Sequence, residues 1–422
     1  MDTVANKEKG KFHYSYLIVV ACCVMCLLPA AIIFSCSGIF YTPVSTDLGV
    51  GKGVFALYMT FISLSMSLSI PFTSKIVATR DLRVVLTVAV LMVGCSLIAM
   101  SRFTSVYMFY GAGILIGIAE SVFYFLAVPT LINRWFFKNV GFMIGLSFAF
   151  TGLGGVLFNP LGVYFITNYG WRSAYLAFGI ITIVVTLPFT LFVIKNYPKD
   201  VGLLPYGDPG TKSVECEAPV ATKAKGVSAN IARKTPSFLL VAGFSCFVNI
   251  TLQIYGYMPS FAESLDLGTS IIAGIVSSAM LGTVVGKLAL GIISDKSVMG
   301  GTLIACMCGI IGIGMMAVIA NSSVIILTAA FIFGIYYAVG AVHMPIMVRS
   351  IFGSREYTFI YGSVATISSL STAISASLWG FIIDATDGYT VMLVGALVIT
   401  VLATVLGVLS IKSSKNLVHT ID

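Results

Sequence analysis

The chain alternates long apolar stretches with short polar ones. A helix needs about 20 mostly apolar residues to cross the hydrocarbon core of a bilayer, and glycine and proline inside such helices are tolerated. On that rule the pattern predicts twelve transmembrane spans, at residues 14–42, 53–75, 83–101, 104–132, 140–167, 172–195, 237–264, 269–294, 299–320, 323–351, 357–383 and 389–411.

One long polar segment interrupts this pattern, between spans six and seven. It holds several lysines, arginines, prolines and glycines and shows little apolar periodicity, which is typical of a linker. The sequence therefore predicts an all-α integral membrane protein of two six-helix bundles. The N-terminal bundle comprises residues 1–195, the linker 196–236 and the C-terminal bundle 237–422.

Composition and charge agree with a membrane protein. Hydrophobic residues make up 58% of the chain and charged residues 9%, against roughly 25% charged in soluble domains. The net charge of +8 lies in short loops rather than in one basic patch, so no nucleic-acid partner is expected. The predicted surroundings are a lipid bilayer.

Lysine and arginine are unevenly distributed between the two sides of the predicted spans. The side that carries the linker and both termini holds most of them, whereas the other side holds only Lys52, Arg102 and Arg172. Positive charge favours the cytoplasmic side of a membrane. We therefore expect a multi-pass protein of the cell membrane with both termini in the cytoplasm.

The nine cysteines do not indicate a metal site or a cofactor. Cys22, Cys23 and Cys26 have a spacing that resembles a redox or metal pair, but they lie inside span one without a histidine beside them. Small packing residues are the better interpretation. No metal and no cofactor are expected.

The end of span eight carries a short signature. Residues 291–296 read Gly-Ile-Ile-Ser-Asp-Lys, which resembles the G-x-x-x-D-[RK] motif of the major facilitator superfamily. Twelve spans in two halves is also the layout of those transporters. The resemblance implies that Asp295 and Lys296, together with Arg134, form a cytoplasmic gate, where the acid meets a helix N-terminus or a basic residue. The matching stretch of the first half, residues 71–81, keeps positive charge but lacks the G-x-x-x-D core.

Further motifs follow in order along nearly the whole chain. In order and spacing they resemble the monocarboxylate and oxalate–formate branch of that superfamily. One departure is the stretch at residues 138–141, where that branch usually carries more basic residues. The motifs are Asn-Arg-Trp-Phe at 133–136, a glycine cluster at 152–155, Gly-Trp-Arg at 170–172, Gly-Leu-Leu-Pro-Tyr-Gly at 202–207 and Tyr-Gly at 361–362.

Lys287 is the first candidate for substrate binding. It precedes Asp295 by eight residues, about 12 Å of helix rise, so it lies deep in span eight. A charge at that depth is costly unless it faces a cavity or a partner. The resemblance implies a cation here that binds the substrate carboxylate; the alternative is a lysine that reaches toward the membrane surface.

Glu120 is the one acid deep inside an apolar span, midway along span four. Burial favours the neutral form of a carboxyl group, so Glu120 could carry a proton. It could instead pair with Lys287 in the empty carrier or bind an amine of the substrate. A neutral, hydrogen-bonded structural glutamate is the alternative to all three roles.

Four other polar residues complete the candidate set. His343 in span ten could take part in proton coupling or donate to an anion, or be a satisfied core histidine. Tyr124, Gln253 and Tyr257 could donate hydrogen bonds to a carboxylate or hydroxyl, although aromatic residues are common in membrane proteins. Transporters of the dicarboxylate oxalate carry a second cation in span eleven, whereas Ser368 stands here. This absence favours a monoanion.

These features predict a secondary transporter that moves a small organic monoanion, such as a monocarboxylate, by alternating access. Protons or a counter-anion would be the coupling partner, and nothing requires more than a monomer. The first alternative is a transporter of larger amphipathic or zwitterionic compounds, such as drug-like or bile-salt-like anions or amino acids. A receptor that binds the anion without moving it is a second alternative. No enzyme is expected, because the sequence shows no nucleophile–base pair, metal cluster or phosphate loop.

Overall fold

The computed structural model describes residues 13–207, 226–265, 269–318, 322–386 and 388–418. Its long apolar helices confirm the predicted all-helical membrane architecture. We label the spans α1 to α12 in chain order: α1 Ser15–Ser35, α2 Lys52–Thr79, α3 Leu82–Met100, α4 Val106–Trp135, α5 and α6 within Val140–Val193, α7 Pro236–Tyr257, α8 Thr269–Lys296, α9 Val298–Val318, α10 Ser323–Phe352, α11 Tyr357–Thr386 and α12 Thr390–Val418.

Helices α5 and α6 lie in one run of 54 residues, Val140–Val193, which has a sharp kink at Gly170. Gly170 has φ 80°, a left-handed conformation that glycine adopts without steric cost. A Cβ on Gly162 would lie only 2.9 Å from the Phe178 ring, although 16 residues of straight helix span about 24 Å. The chain therefore reverses at Gly170, and the eleven apolar helices found in the described residues make twelve spans.

Five spans contain a stretch that departs from α-helical geometry. These stretches are π-helical in α1, α4, α6 and α10 and 3₁₀-helical in α7, and a proline lies inside or within two residues of each of them. Proline removes a backbone donor, and π segments inside helices occur often at functional sites. The irregular stretches are Cys26–Ala30, Ser121–Ala127, Phe189–Val193, Gln253–Tyr257 and Val339–His343.

The described ends of the linker contact the ends of two spans. Tyr206 donates its N–H to the Trp135 carbonyl at 2.9 Å and accepts from the Phe137 N–H at 2.9 Å, while Val227 donates to the Phe352 carbonyl at 3.0 Å. We call the side of the protein where these contacts lie the linker face. The predicted bounds of the linker and the two bundles stay a prediction, and residues 208–225 lie outside the described part.

The two bundles meet from the linker face to about half-way along α5 and α8. Helix α5 packs against α8 so closely that a Cβ on Gly141 would lie 2.5 Å from the Gly291 carbonyl oxygen. On the other side of the interface, Gly362 of α11 packs against Ser74 of α2. Interior glycines allow this approach of two backbones. The structure is thus closed at the linker face.

Candidate substrate site and gate

Lys287 lies at the interface between the two bundles. Its side chain is 5% exposed, and its ammonium donates to the Thr151 hydroxyl at 2.7 Å and to the Phe148 carbonyl at 3.1 Å. Both partners belong to α5 of the other bundle. An ammonium has three N–H donors, so one donor remains beyond these two contacts. Lys287 does not reach toward the membrane surface.

A glycine lets α5 approach the backbone of Lys287. A Cβ on Gly145 would lie 2.2 Å from the Lys287 carbonyl oxygen, and a Cβ on Gly152 would lie 2.6 Å from the Val284 side chain. The contact continues past Lys287 on both sides. Any movement of the bundles at the linker face must therefore move Phe148 and Thr151 relative to Lys287.

Glu120 is fully buried at the end of the α-helical part of α4. Among the described residues, neither of its carboxyl oxygens has a hydrogen-bond partner. Glu120 and Lys287 thus form no ion pair in this conformation. The Cys26 thiol, in the π-helical part of α1, lies within electrostatic range of both. The two groups are therefore not direct partners.

Aromatic rings surround this region. Tyr124 contacts the Phe34 ring at 5.4 Å and the Phe148 ring at 5.2 Å between centroids. It also lies within electrostatic range of Glu120 and Tyr337. Because Phe148 also supplies a carbonyl to Lys287, the structure brings Tyr124, Glu120 and Lys287 into one site. Apolar walls with a few polar groups are typical of small-molecule sites.

Gln253 and Tyr257 lie in the 3₁₀ segment at the end of α7, away from the linker face. Both are half-buried. A Cβ on Gly380 would lie 3.0 Å from the Tyr257 hydroxyl. The neighbouring Tyr255 ring contacts the Tyr337 ring at 5.3 Å. The structure connects this segment to the site through the Tyr255–Tyr337 ring contact.

His343 is placed elsewhere. Its Nδ1 is 2.8 Å from the Ser294 hydroxyl and its Nε2 is 2.8 Å from the Thr302 hydroxyl. Both partners belong to the same bundle and lie near the linker face, on α8 and α9. Both ring nitrogens are therefore engaged in packing three helices together, and the structure does not bring His343 to Lys287 or Glu120.

Ser368 faces α7 within the second bundle. Its hydroxyl is hydrogen-bonded to that of Ser245, and its carbonyl accepts from Thr372 at 3.0 Å. Thr372 also donates to Asn249 at 3.3 Å. The position where a dicarboxylate carrier would have its second cation is thus occupied by a neutral hydroxyl group that is hydrogen-bonded to its own bundle.

The predicted gate residues lie at the linker face. The Asp295 carboxylate accepts the N–H of Gly141 at 2.6 Å and that of Phe142 at 2.9 Å, so an acid of the second bundle caps α5 of the first. This geometry suits a helix N-terminus, which favours negative charge. Arg134 donates to the Val77 carbonyl at 3.2 Å and stacks on Tyr197. Lys296 is exposed at the end of α8.

Sequence reasoning missed some residues of this site. Thr151 and the Phe148 carbonyl, which hold Lys287, were not singled out, and neither was Cys26 for a role in binding. Thr151 directly precedes the glycine cluster at 152–155, so the close approach that this cluster predicts was the available signal. A backbone carbonyl carries no sequence signal of its own.

Comparison with known families agrees with this architecture. The sequence model described as "Major Facilitator Superfamily" matches residues 23–376. The chain belongs to the major facilitator superfamily. It is therefore a multi-pass membrane transporter rather than an enzyme, and its substrate is a separate question.

Individual members of the major facilitator superfamily are distant relatives of the chain. It is 19% identical to monocarboxylate transporter 12 of Homo sapiens over 396 residues, which is 89% of this chain and 76% of the relative. It is 21% identical to the MFS-type transporter pynF of Aspergillus niger over 44% of this chain and 38% of the relative. The solved proton:xylose symporter XylE superposes with a TM-score of 0.65 at 14% identity, covering 94% of each chain, which shows the shared fold.

The carboxylate of Asp295 gives a first testable prediction about this transporter. Asp295→Asn keeps the side-chain size but removes the charge and one of the two acceptors at the α5 N-terminus. Hydrogen bonds to a charged group contribute about 1.5–3 kcal/mol, so we expect the ratio of closed to open linker face to fall by about tenfold or more. Spin labels at Thr79 and Lys412, one in each bundle, would show a longer distance in a background without native thiols.

Asp81→Asn is the matched control. Asp81 occupies the corresponding turn of the first bundle but accepts the N–H of Arg83 at 2.9 Å, at the start of its own helix. Its loss should leave the distance between bundles unchanged. An unchanged distance in Asp295→Asn as well would mean that the cap does not stabilise the closed face.

Proposed function

We propose that the protein carries a small organic monoanion of the monocarboxylate class by alternating access. The buried Lys287 ammonium is the observation that supports this most strongly. It has no acidic partner among the described residues, and two neutral α5 groups occupy only part of its donor capacity. A carboxylate bound there would meet a cation where water competes poorly. The distant similarity to monocarboxylate transporter 12 supports the same substrate class.

The expected cycle begins with the linker face closed. The anion enters from the opposite side and takes the remaining donor of Lys287, next to Tyr124. Glu120 takes a proton, or remains neutral while a counter-anion is exchanged. With both charges neutralised, the bundles rock, α5 moves away from α8, and Phe148 and Thr151 leave the ammonium. The anion is then released at the linker face.

A monoanion suits this site better than a dianion. Lys287 is the one buried lysine or arginine among the described residues, and the Ser368 hydroxyl is already bonded within the second bundle. A second carboxylate would thus lack a cation and would keep its full desolvation cost. We do not expect oxalate to be the preferred substrate.

We place the carrier in the cell membrane with its linker face in the cytoplasm, as the lysine and arginine distribution predicts. Gln253 and Tyr257, near the opposite side of α7, would then line the entry route from outside. We assign Asp295, Arg134 and Lys296 to the cytoplasmic gate. A monomer contains all of these residues.

A zwitterionic or larger amphipathic substrate is a second candidate. Glu120 has no hydrogen-bond partner among the described residues and lies with Lys287 around the same Cys26 thiol. An amino acid could place its carboxylate on Lys287 and its amine on Glu120. This candidate requires Glu120 to be charged when the substrate binds, whereas proton coupling requires it to change charge during the cycle.

Uptake into proteoliposomes tests the proposal. We expect radiolabelled lactate, formate or acetate to accumulate when the entry side is more acidic, and not without the gradient. Uptake that needs a preloaded internal anion would instead indicate exchange. If none of the small acids is carried but amino acids or amphipathic anions compete for binding, the second candidate replaces the first.

A further inference from the structure

A basic cavity lies at the linker face, between the two bundles and apart from the Lys287 site. Its volume is about 390 Å³, within the range of ligand pockets. Three arginines line it: Arg134 from the first bundle and Arg349 and Arg355 from the second. Arg134 and Arg349 are half-buried and Arg355 is exposed. Each guanidinium has five N–H donors. Arg134 donates to the Val77 carbonyl and Arg349 to the Phe136 carbonyl, so each has further donors.

The same cavity wall contains a buried hydroxyl without a partner. Tyr357 is 4% exposed, and its hydroxyl makes no hydrogen bond to any described residue. The Asn133 amide lies beside it, but the two do not reach hydrogen-bond geometry. A buried hydroxyl without a partner is costly, and here it lies among three cations. A ligand oxygen could accept from it.

Helix α11 begins at Tyr357, in this wall. The N-terminus of a long helix favours an anion. The corresponding helix of the first bundle, α5, receives the Asp295 carboxylate across the interface. The equivalent acid for α11 would be Asp81, but Asp81 caps its own helix. The two gates are therefore unequal, because among the described residues no carboxylate of the opposite bundle caps α11.

Three described acids near the cavity, Glu356, Asp295 and Asp200, are engaged in other contacts. Glu356 lines the cavity, but its carboxylate accepts the Ala229 N–H at 2.7 Å and so binds the linker. Asp295, within electrostatic range of Arg349, is bound to α5. Asp200, near Arg134, accepts the Tyr197 N–H at 2.9 Å. The cavity lining itself carries three arginines and one glutamate, so its charge is positive.

We propose that this cavity binds a phosphate-bearing anion, which takes the place at α11 that the Asp295 carboxylate takes at α5. Bound to Arg134 on one bundle and to Arg349, Arg355 and Tyr357 on the other, the anion holds the linker face closed. It is a regulatory site, separate from the substrate site, and it does not depend on which substrate is carried. The phosphate group comes from a dissolved phosphate or from a lipid headgroup.

The test uses the full-length protein in nanodiscs and does not measure transport. Inorganic phosphate is titrated into protein in phosphatidylcholine, with spin labels at Thr79 and Lys412 and ionic strength held constant with chloride. We expect the short distance between the labels to gain population and the thermal unfolding midpoint to rise. A second arm replaces part of the lipid with phosphatidic acid and contains no free phosphate. A response in the first arm identifies dissolved phosphate, and a response in the second alone identifies a headgroup.

Arg355→Gln should weaken the phosphate response by about tenfold, the loss expected for one charge-assisted hydrogen bond. Arg355 is exposed, so folding should be retained. Lys199→Gln, an exposed lysine outside the cavity lining, should respond like the unsubstituted protein. No response to phosphate or to phosphatidic acid would overturn the proposal. An equal response to chloride would also overturn the proposal. So would a phosphate response that is the same in Arg355→Gln as in the unsubstituted protein.

Discussion

Replacement of Lys287 by alanine is expected to reduce uptake of the monocarboxylate by about 100-fold or more. Removing one partner of a desolvated charge pair typically costs about 2–5 kcal/mol, and about 2.7 kcal/mol corresponds to 100-fold in affinity. The side chain also donates to Thr151 and Phe148, so Lys287→Ala removes a contact between the bundles as well. Initial uptake rates in proteoliposomes at equal protein content measure the effect.

Two comparisons separate anion binding from folding in this experiment. Lys296→Gln removes a positive charge from the same helix at its exposed end, and it should lower uptake far less than Lys287→Ala. The thermal unfolding midpoint of Lys287→Ala should stay near that of the parent protein, because a buried cation is removed together with its desolvation cost. Uptake at the parent rate in Lys287→Ala would rule out Lys287 as the anion-binding group.

The depth of Lys287 could be predicted from the sequence, but its surroundings could not. The eight-residue separation from Asp295 placed it inside the membrane because helix rise is fixed. Its two partners come from α5, about 136 and 139 positions earlier in the chain. The packing of the two halves decides which face of α5 meets α8, and local patterns do not encode that packing. The glycine cluster at 152–155 allows a close helix contact but does not name its partner.

His343 shows the limit of reasoning from residue type and depth. A histidine in an apolar span is a candidate for proton transfer, and its sequence position alone left two roles open. The structure gives both ring nitrogens a hydroxyl partner, Ser294 and Thr302. Those partners are single polar residues on two other helices, each unremarkable in its own segment. Its coupling role stays a prediction, with less geometric support than that of Glu120.

The fold was easier to predict from the sequence than the site was. Membrane solvation forces each apolar stretch of about 20 residues into a helix whose backbone hydrogen bonds are internal, so hydropathy alone yields the spans. The reversal at Gly170 is visible as Gly-Trp-Arg between two apolar stretches. The irregular segments in α1, α4, α6, α7 and α10 were not predicted. Only the prolines inside or within two residues of them offered a signal.

Glu120→Gln is expected to separate proton coupling from anion movement. Glutamine has nearly the shape of the neutral acid but cannot release a proton, and among the described residues neither Glu120 oxygen has a partner that the substitution would disturb. With one proton carried per anion, a gradient of one pH unit should drive about tenfold accumulation in the parent protein. Glu120→Gln should lose that accumulation and still exchange internal for external anion.

Exchange and accumulation are measured in the same liposomes, so a misfolded variant would lose both. Asp47→Asn is the control, because the Asp47–Arg172 ion pair is 43% exposed on each side chain and such pairs contribute little. If Glu120→Gln still accumulates the anion tenfold, the proton passes through another group. A third outcome is that neither the parent protein nor Glu120→Gln carries small acids, and that Glu120→Gln no longer binds amino acids. In that case Glu120 binds an amine. The same substitution thus distinguishes the proton carrier from the amine ligand, since only the amine ligand must be charged when the substrate arrives.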